Sequence, residues 1–351
     1  MLETRDRHTD QAASPSDITL RTLTGEGALE FLNETWPTLY GQDPDATPYQ
    51  AASWLSAWAA QLPPTASVLV LVTGTATEPA AAVALVREQR LGRRALVYPL
   101  GAPHAEYTLP VGPYAADSSV AMALAEGLKE LARDHDVVVP DMPAESGLAQ
   151  QLSAQRGWTQ DPTRCAEIPL PVAYARMSSS TRREHRRRAR KWGELAAERR
   201  VVYRRSRRTD ELVAAYPLLS QMRQRRWAGQ PEDTENVLIS DEASWPAVLQ
   251  RCGADLAFIA ALELDGHVVA QQMCLYRDDR CYSLFPAMDP DYAELAPGHA
   301  LLRWLTEDLT DDGFSLLSLG LTLETEGQRG YKRQYLPRER SCVTFCRLSS
   351  R

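Results

Sequence analysis

One order of elements occurs twice along the 351 residues, and it limits the folds open to the chain. Apolar residues at helical spacing in GEGALEFLNETWPTLYG and YQAASWLSAWAAQL lead into three consecutive strand patterns, SVLVLVTG, PAAAVALVRE and RRALVYPLG. A helix (DSSVAMALAEGLKELARD), a buried strand (HDVVVPDMP), a helix around ESGLAQQLSAQRG and a strand (RCAEIPLP) complete this half. The second half opens with the helix TRREHRRRARKWGELAAER, the strand RVVYRRS and the helices DELVAAYPLLSQMRQRRW and EASWPAVLQRCG. Three strands follow in DLAFIAALELDGHVVAQQMCLYRDDRCYSLFPAM, with DG and RDDR as hairpin turns. The loop DPDYAELAP, the helix GHALLRWLTEDLTDDG, the strand FSLLSLGLT, the connection EGQRGYKRQYLP and a last strand, SCVTFCRLSS, end the chain. Helices, meander, loop, helix and strand in both halves predict an α+β (mixed α/β) protein of two tandem units. Each unit is then a mixed, mostly antiparallel sheet flanked by helices, although no sequence identity is visible between the halves.

The length fits two cores of about 150 to 180 residues each. The expected divisions are a disordered polar lead-in over residues 1–20, a first domain over 21–172 and a second over 173–351, beginning with the arginine-rich helix. Runs such as SVLVLV are far shorter than the roughly 18 apolar residues of a membrane helix, and the N-terminal stretch lacks the apolar segment of a secretory signal. A cytoplasmic protein with no membrane span is expected. All six cysteines lie beyond residue 160, with no CxxC pair and no histidine spacing suited to zinc, so they read as reduced, mostly buried thiols and no metal is expected. The net charge of −7 hides an asymmetry: residues 176–208 hold 14 Arg or Lys against three Glu. A basic arm therefore sits on an acidic body. Basic charge is written as 36 arginines, against only Lys129, Lys191 and Lys332.

Specific residues add to the element order. ELDGHVVAQQMCLY, MDPDYAELAPGHALLRWL and GYKRQYLP resemble the C-terminal half of the CelD/BcsL-like acetyltransferases of the GNAT superfamily, which in turn resemble the Fem aminoacyl-tRNA-dependent ligases. SSSTRREHRRRARKWGEL is similar to the basic helix that opens this half, and PYQAASWLSAW and YPLGAPHAEY to two landmarks of the first half. The resemblance spans roughly residues 25 to 348 and implies two GNAT-like units packed together, with the active cleft mainly in the second. Ser315 and Ser318 stand where many relatives carry an Asp, and Arg329 and Gly330 where an acid is usual. The nearest acids are Glu324 and Glu326.

In ELAPGHALLRWL, Pro297 ends a loop, Gly298 lets a ligand approach the backbone, and the next helix begins with unpaired N–H groups at the positive end of its dipole, a start suited to phosphate. Against the GNAT pattern [QR]xxGx[GA], Gly298 and Ala300 match, His299 lies between them, and Leu295 replaces the Gln or Arg. On the basic helix Arg182, Arg186 and Arg190 fall at i, i+4, i+8 beside Arg183, Arg187 and Lys191. Gly298, His299, Ala300, Arg182 and Arg186 are the candidate donor-binding residues. The cationic face suits the phosphates of coenzyme A, a nucleotide-linked acceptor or a tRNA acceptor stem, and its plain alternative is a solvated helix balanced by the acidic body.

Amide formation needs a donor carbonyl near a nucleophile, a group that takes the amine proton, and positive charge or N–H donors at the oxyanion. The resemblance implies that Lys332 orients or stabilises the reacting carbonyl and that Tyr331 shapes the acceptor pocket. Candidate proton acceptors are Glu326, Glu324, Asp289 and His299. Candidate substrate contacts are Glu106, Tyr107 and Gln271, with His104 and Gln272 beside them. Cys274 and Cys281 lack a histidine partner, which argues against a cysteine nucleophile. The leading expectation is an N-acyltransferase moving an acyl group from acyl-CoA to an amine of a small-molecule, sugar or peptide acceptor, in specialised-metabolite or envelope biosynthesis. The alternatives are a Fem-like ligase using aminoacyl-tRNA, which makes tRNA a partner, and a catalytically silent scaffold binding a polyanion. Nothing in the sequence sets the oligomeric state.

Overall fold

Aliphatic runs form the strands and amphipathic segments the helices in a computed structural model that describes residues 18–75, 78–227, 243–322 and 326–348. The first half comprises β1 (Thr19–Thr24), α1 (Glu26–Glu34), α2 (Trp36–Gln42), α3 (Ala52–Ala59), β2 (Ala66–Gly74), β3 (Pro79–Glu88), β4 (Leu96–Pro99), α4 (Ser118–Asp134), β5 (Asp136–Pro143), α5 (Gly147–Ala154) and β6 (Thr159–Pro169). The second comprises α6 (Ser179–Glu198), β7 (Val201–Arg205), α7 (Thr209–Trp227), α8 (Trp245–Cys252), β8 (Ala257–Leu264), β9 (His267–Arg277), β10 (Arg280–Met288), α9 (Pro297–Asp311), β11 (Leu316–Leu321), α10 (Glu326–Arg333) and β12 (Arg338–Arg347). The predicted DG hairpin joins β8 to β9, with Asp265 and Gly266 both at positive φ, as a tight two-residue turn requires. Among the described residues no helix is long and apolar enough to cross a membrane.

Two elements lie beyond the sequence pattern. β1 is a largely exposed edge strand, TLRTLT, formed by antiparallel pairing with β2. It has no buried face to print a signature in its own sequence. Residues 1–17 of the expected lead-in lie outside the described residues, but Thr19 and Leu20 already belong to β1. The second element is α10, where EGQRGYKR forms a helix despite two glycines that weaken helices intrinsically.

The twelve strands make one sheet in the order β1-β2-β3-β4-β5-β12-β6-β11-β10-β9-β8-β7. Only β4 with β5 and β10 with β11 pair in parallel. The tandem arrangement therefore contains an exchange: β12, the last strand of the second half, lies between β5 and β6, while β6, the last of the first half, lies between β12 and β11. β6 and β12 pair along their length, from Arg338 opposite Glu167 to Cys346 opposite Thr159. Each half completes its sheet with the other's closing strand.

Helices cover both faces. α4 and α5 pack on the first half and α6 and α9 on the second, each pair over its own core on one face. On the opposite face α1, α2, α3, α7 and α8 share a single core that crosses between the halves. Its centre is Trp245, fully buried, with ring centroids 5.1 Å from Trp58 and 5.0 Å from Phe285. Because the sheet and this core are both shared, urea unfolding followed by circular dichroism and by tryptophan fluorescence should give coincident transitions. Trp245→Ala should cost about 3–5 kcal/mol and move both probes together. Separate transitions would show that the halves fold independently.

Candidate active site

β10 and β11 pair only from Arg280 with Leu316 to Tyr282 with Ser318, and then part. Beyond that point the main chain of Gly320 and Leu321 lacks β10 as a partner, and buried peptide groups need one. Three side chains supply it, the first being Ser318, whose Oγ accepts the Gly320 N–H (3.1 Å). Glu106, from the loop after β4, accepts the Leu321 N–H at Oε1 (3.0 Å). Lys332, on α10, donates from Nζ to the carbonyls of Gly320 (3.0 Å) and Leu321 (2.6 Å). Gly320 sits at φ 68°, and a side-chain carbon there would collide with the Glu106 carboxylate. The glycine thus admits the carboxylate to the strand.

Glu106 is chemically poised. Its Oε2 is sealed from solvent and has no hydrogen-bond partner, although the residue keeps some exposure elsewhere. Burial pushes the carboxyl up to about 7, the Leu321 bond and the Lys332 charge restrain it, and the Asp141 charge adds to the rise. An unpartnered acceptor on a buried acid is costly to a fold that does not use it. Tyr107, the next residue, adopts φ 55°, uncommon for a bulky side chain. Gln50 holds its carbonyl (2.9 Å), and its hydroxyl bonds Ser318 Oγ (2.8 Å) and donates to Glu167 (3.2 Å). Arg340 on β12 lies over the Tyr107 ring at 5.2 Å and 3.7 Å from Glu167. The site is thus assembled from both halves, at the strand exchange.

Tyr331 and Lys332 are adjacent on a helix and so point in different directions. Lys332 reaches β11, whereas Tyr331 packs on His299 at the start of α9, with ring centroids 4.7 Å apart. His299 Nδ1 is bonded to the Tyr335 hydroxyl at 2.9 Å. Burial, reinforced by the Arg188 charge, lowers His299 to about 4, so the ring is neutral at physiological pH and brings no positive charge to a phosphate. The α9 start itself is accessible: Ala296 at its N-cap has no capping side chain, and the space beside the Gly298 α-carbon is open. Ala300 is buried in the first turn. The matching start of α4 differs, because the Asp117 carboxylate accepts the N–H groups of Ser119 and Val120.

On α6, Trp192 donates to the carbonyl of Leu295 (3.0 Å) and Lys191 to that of Glu294 (3.0 Å), fixing the basic helix against the turn before α9. Arg182 is turned back on the chain and donates to the carbonyls of Ala175 and Met177. Arg183, Arg186, Arg187 and Arg190 are exposed. Gln271 lies on the face of the sheet under α7, donating to the Ala215 carbonyl (3.2 Å) with its Oε1 buried and unpartnered. Gln272 is bonded to Ser283. Asp289 accepts from Arg225 (3.0 Å) and His267 (2.9 Å), which ties it to structure. His104 is buried between Trp58 (4.5 Å) and Trp245 (5.1 Å). Glu324 lies outside the described residues, and Glu326 is described only by its main chain, as the first residue of α10. The sequence makes Glu106 a candidate substrate contact. Its buried, unpartnered oxygen depends on a contact between residues 214 positions apart and left no local sign.

Comparison with known proteins agrees with this fold. Residues 179–333 match the family model described as an acetyltransferase (GNAT) domain. Among solved structures, FemX superposes with a TM-score of 0.61 at 12% identity, covering 94% of this chain and 97% of that one. The tandem GNAT protein from the clavulanic acid biosynthesis pathway gives 0.51 at 13% identity, covering 95% and 99%. L-PGS from Bacillus licheniformis gives 0.51 at 13% identity, covering 92% and 91%. No curated protein matches the chain. The fold is that of tandem GNAT proteins and their Fem-like relatives. In the second half, residues 179–333 match the GNAT acetyltransferase domain.

Gly320→Ala should lower stability by about 1–3 kcal/mol, through its positive φ and the collision with Glu106. A double-mutant cycle with Glu106→Ala, measured by urea denaturation, should show a coupling of about 0.5–3 kcal/mol. Strictly additive costs would mean that the two residues do not press on one another.

Proposed function

We propose that the chain transfers an acyl group from acyl-CoA to a primary amine. The observation that supports this most is the convergence of Glu106 and Lys332 on Gly320 and Leu321 where β10 parts from β11. The start of α9 fits the donor's phosphates better than that of α4, because no carboxylate occupies its N–H groups. Gly298 offers close approach there, and Arg188 on the neighbouring α6 brings its positive charge to bear on that helix start.

In this reading the acceptor arrives as an ammonium and gives one proton to the Glu106 carboxylate, becoming a neutral nucleophile. Its nitrogen attacks the thioester carbonyl, and the Lys332 charge stabilises the oxyanion. The C–S bond then breaks, the second proton leaves with the thiolate, and Glu106 returns its proton to solvent. A carboxyl titrating near 7 is matched to this task at neutral pH, whereas an ordinary glutamate is a weaker base.

The four exposed arginines of α6 favour a second reading, in which the donor is aminoacyl-tRNA and the helix holds its phosphate backbone. Product formation should be measured by mass spectrometry with acetyl-CoA and with charged tRNA, each against a panel of primary amines. Amide from acetyl-CoA alone supports the first reading, amide from charged tRNA alone the second, and none from either leaves a scaffold that binds a polyanion. With the productive donor, Lys332→Ala should lower kcat by about 10²–10³-fold. Because Glu106 works deprotonated, the rate should rise with pH through about 7 and level off above it. Glu106→Gln should lower kcat about 10²–10⁴-fold and abolish that limb. An unchanged pH profile in the Gln variant would remove Glu106 as the base.

A further inference from the structure

β4 and β5 part as β10 and β11 do, after only two paired residues, Leu96 with Asp136 and Val97 with Val137. In the second half, Glu106 and Tyr107 reach into the corresponding gap. In the first half the gap opens instead into a cavity of about 600 Å³, within the range of small-molecule sites. Its walls are aromatic and aliphatic, including Trp58, Tyr98, Leu62 and Leu100. Among the described residues that line it, the charged groups are two carboxylates, Glu88 and Asp141, with no lysine, arginine or histidine.

The two carboxylates are fixed differently. Glu88 accepts the Tyr98 hydroxyl at 3.1 Å. Asp141 accepts from Thr163 at Oδ1 (3.0 Å) and lies at φ 49°, a bend at which β5 turns this side chain out of its regular alternation. Ala105 also lines the cavity and is followed directly by Glu106, whose carboxyl feels the Asp141 charge. From the cavity the next acid is therefore the one at the transfer site. A phosphate-bearing donor is repelled by such a wall, whereas a cation with an apolar body gains from the carboxylates and from the faces of Trp58 and Tyr98.

We propose that this cavity is the acceptor pocket and takes an aromatic or alkyl primary amine, its hydrocarbon against Trp58, Tyr98 and Leu100 and its ammonium on Asp141, one step from Glu106. The assignment rests on the acyl-transfer reading, and it specifies the acceptor's chemical class.

Binding of 2-phenylethylamine, 2-phenylethanol and phenylacetate to the full chain, without donor, tests it by calorimetry and tryptophan fluorescence. The amine should bind at least tenfold more tightly than the alcohol, and phenylacetate should not bind. Asp141→Asn keeps an acceptor for Thr163 and a residue tolerant of positive φ, so it should fold and weaken the amine at least tenfold. Leu62→Trp, at a half-buried wall position, should fill the cavity and do the same without lowering the melting temperature. Equal binding of the alcohol, no binding of the amine, or an affinity that Leu62→Trp leaves unchanged would overturn the assignment. Transfer to the amine with a KM that Leu62→Trp leaves unmoved would sink the pocket and keep the acyltransferase. Binding in the cavity without transfer from acetyl-CoA or charged tRNA would do the reverse.

Discussion

The pairing of β6 with β12 is the constraint on which the rest of the molecule depends. These two strands are the last of their halves, and each lies inside the sheet begun by the other. Neither half can complete its part of the sheet alone, since removal of either strand would strip hydrogen-bond partners from two strands of the other half. The exchange also brings Glu167 on β6, Arg340 on β12, Ser318 on β11 and the loop carrying Glu106 and Tyr107 to one place. A site drawn from both halves follows from the topology itself.

The halves use the same opening in their sheets for different ends. Where parallel strands diverge, unpaired peptide groups and space appear together. Around β11 the peptide groups are met by a serine, a glutamate and a lysine, and the last two leave charge concentrated at the gap. Around β5 the space remains as a cavity with carboxylates and an apolar lining. The helices that follow diverge in the same sense: α4 caps itself with Asp117, while the start of α9 stays uncapped beside a strongly basic helix. A duplicated architecture has thus become asymmetric through a few polar side chains, with its backbone order kept.

Lys332 shows how context changes the meaning of a residue. Two main-chain carbonyls hold its ammonium, so it anchors α10 to β11 while setting positive charge beside a buried acid. Tyr331, its neighbour in sequence, points in a different direction from the helix and joins His299 and Tyr335 in an aromatic cluster over the start of α9. The motif therefore links the two ends of the cleft through one short helix.

Hydrophobic periodicity and turn chemistry were enough to reveal the repeated α+β order, the DG hairpin, the basic helix and the proline-glycine start of α9, because each is written over a few neighbouring residues. β1 and α10 were not legible. The first is an exposed edge strand held by β2, and the second is a glycine-containing helix held by Lys332 and by aromatic packing. Lys332 could be singled out from its motif, but the chemistry of Glu106 could not, because its raised affinity for a proton comes from burial against Gly320, 214 residues away. By itself the sequence determined all the elements but β1 and α10, their order and the asymmetry of charge, which depend on local spacing and composition. Only the tertiary structure decided which strands exchange, which acid loses its solvent and which gap stays open, because pairing partners and burial are properties of residues far apart in the chain.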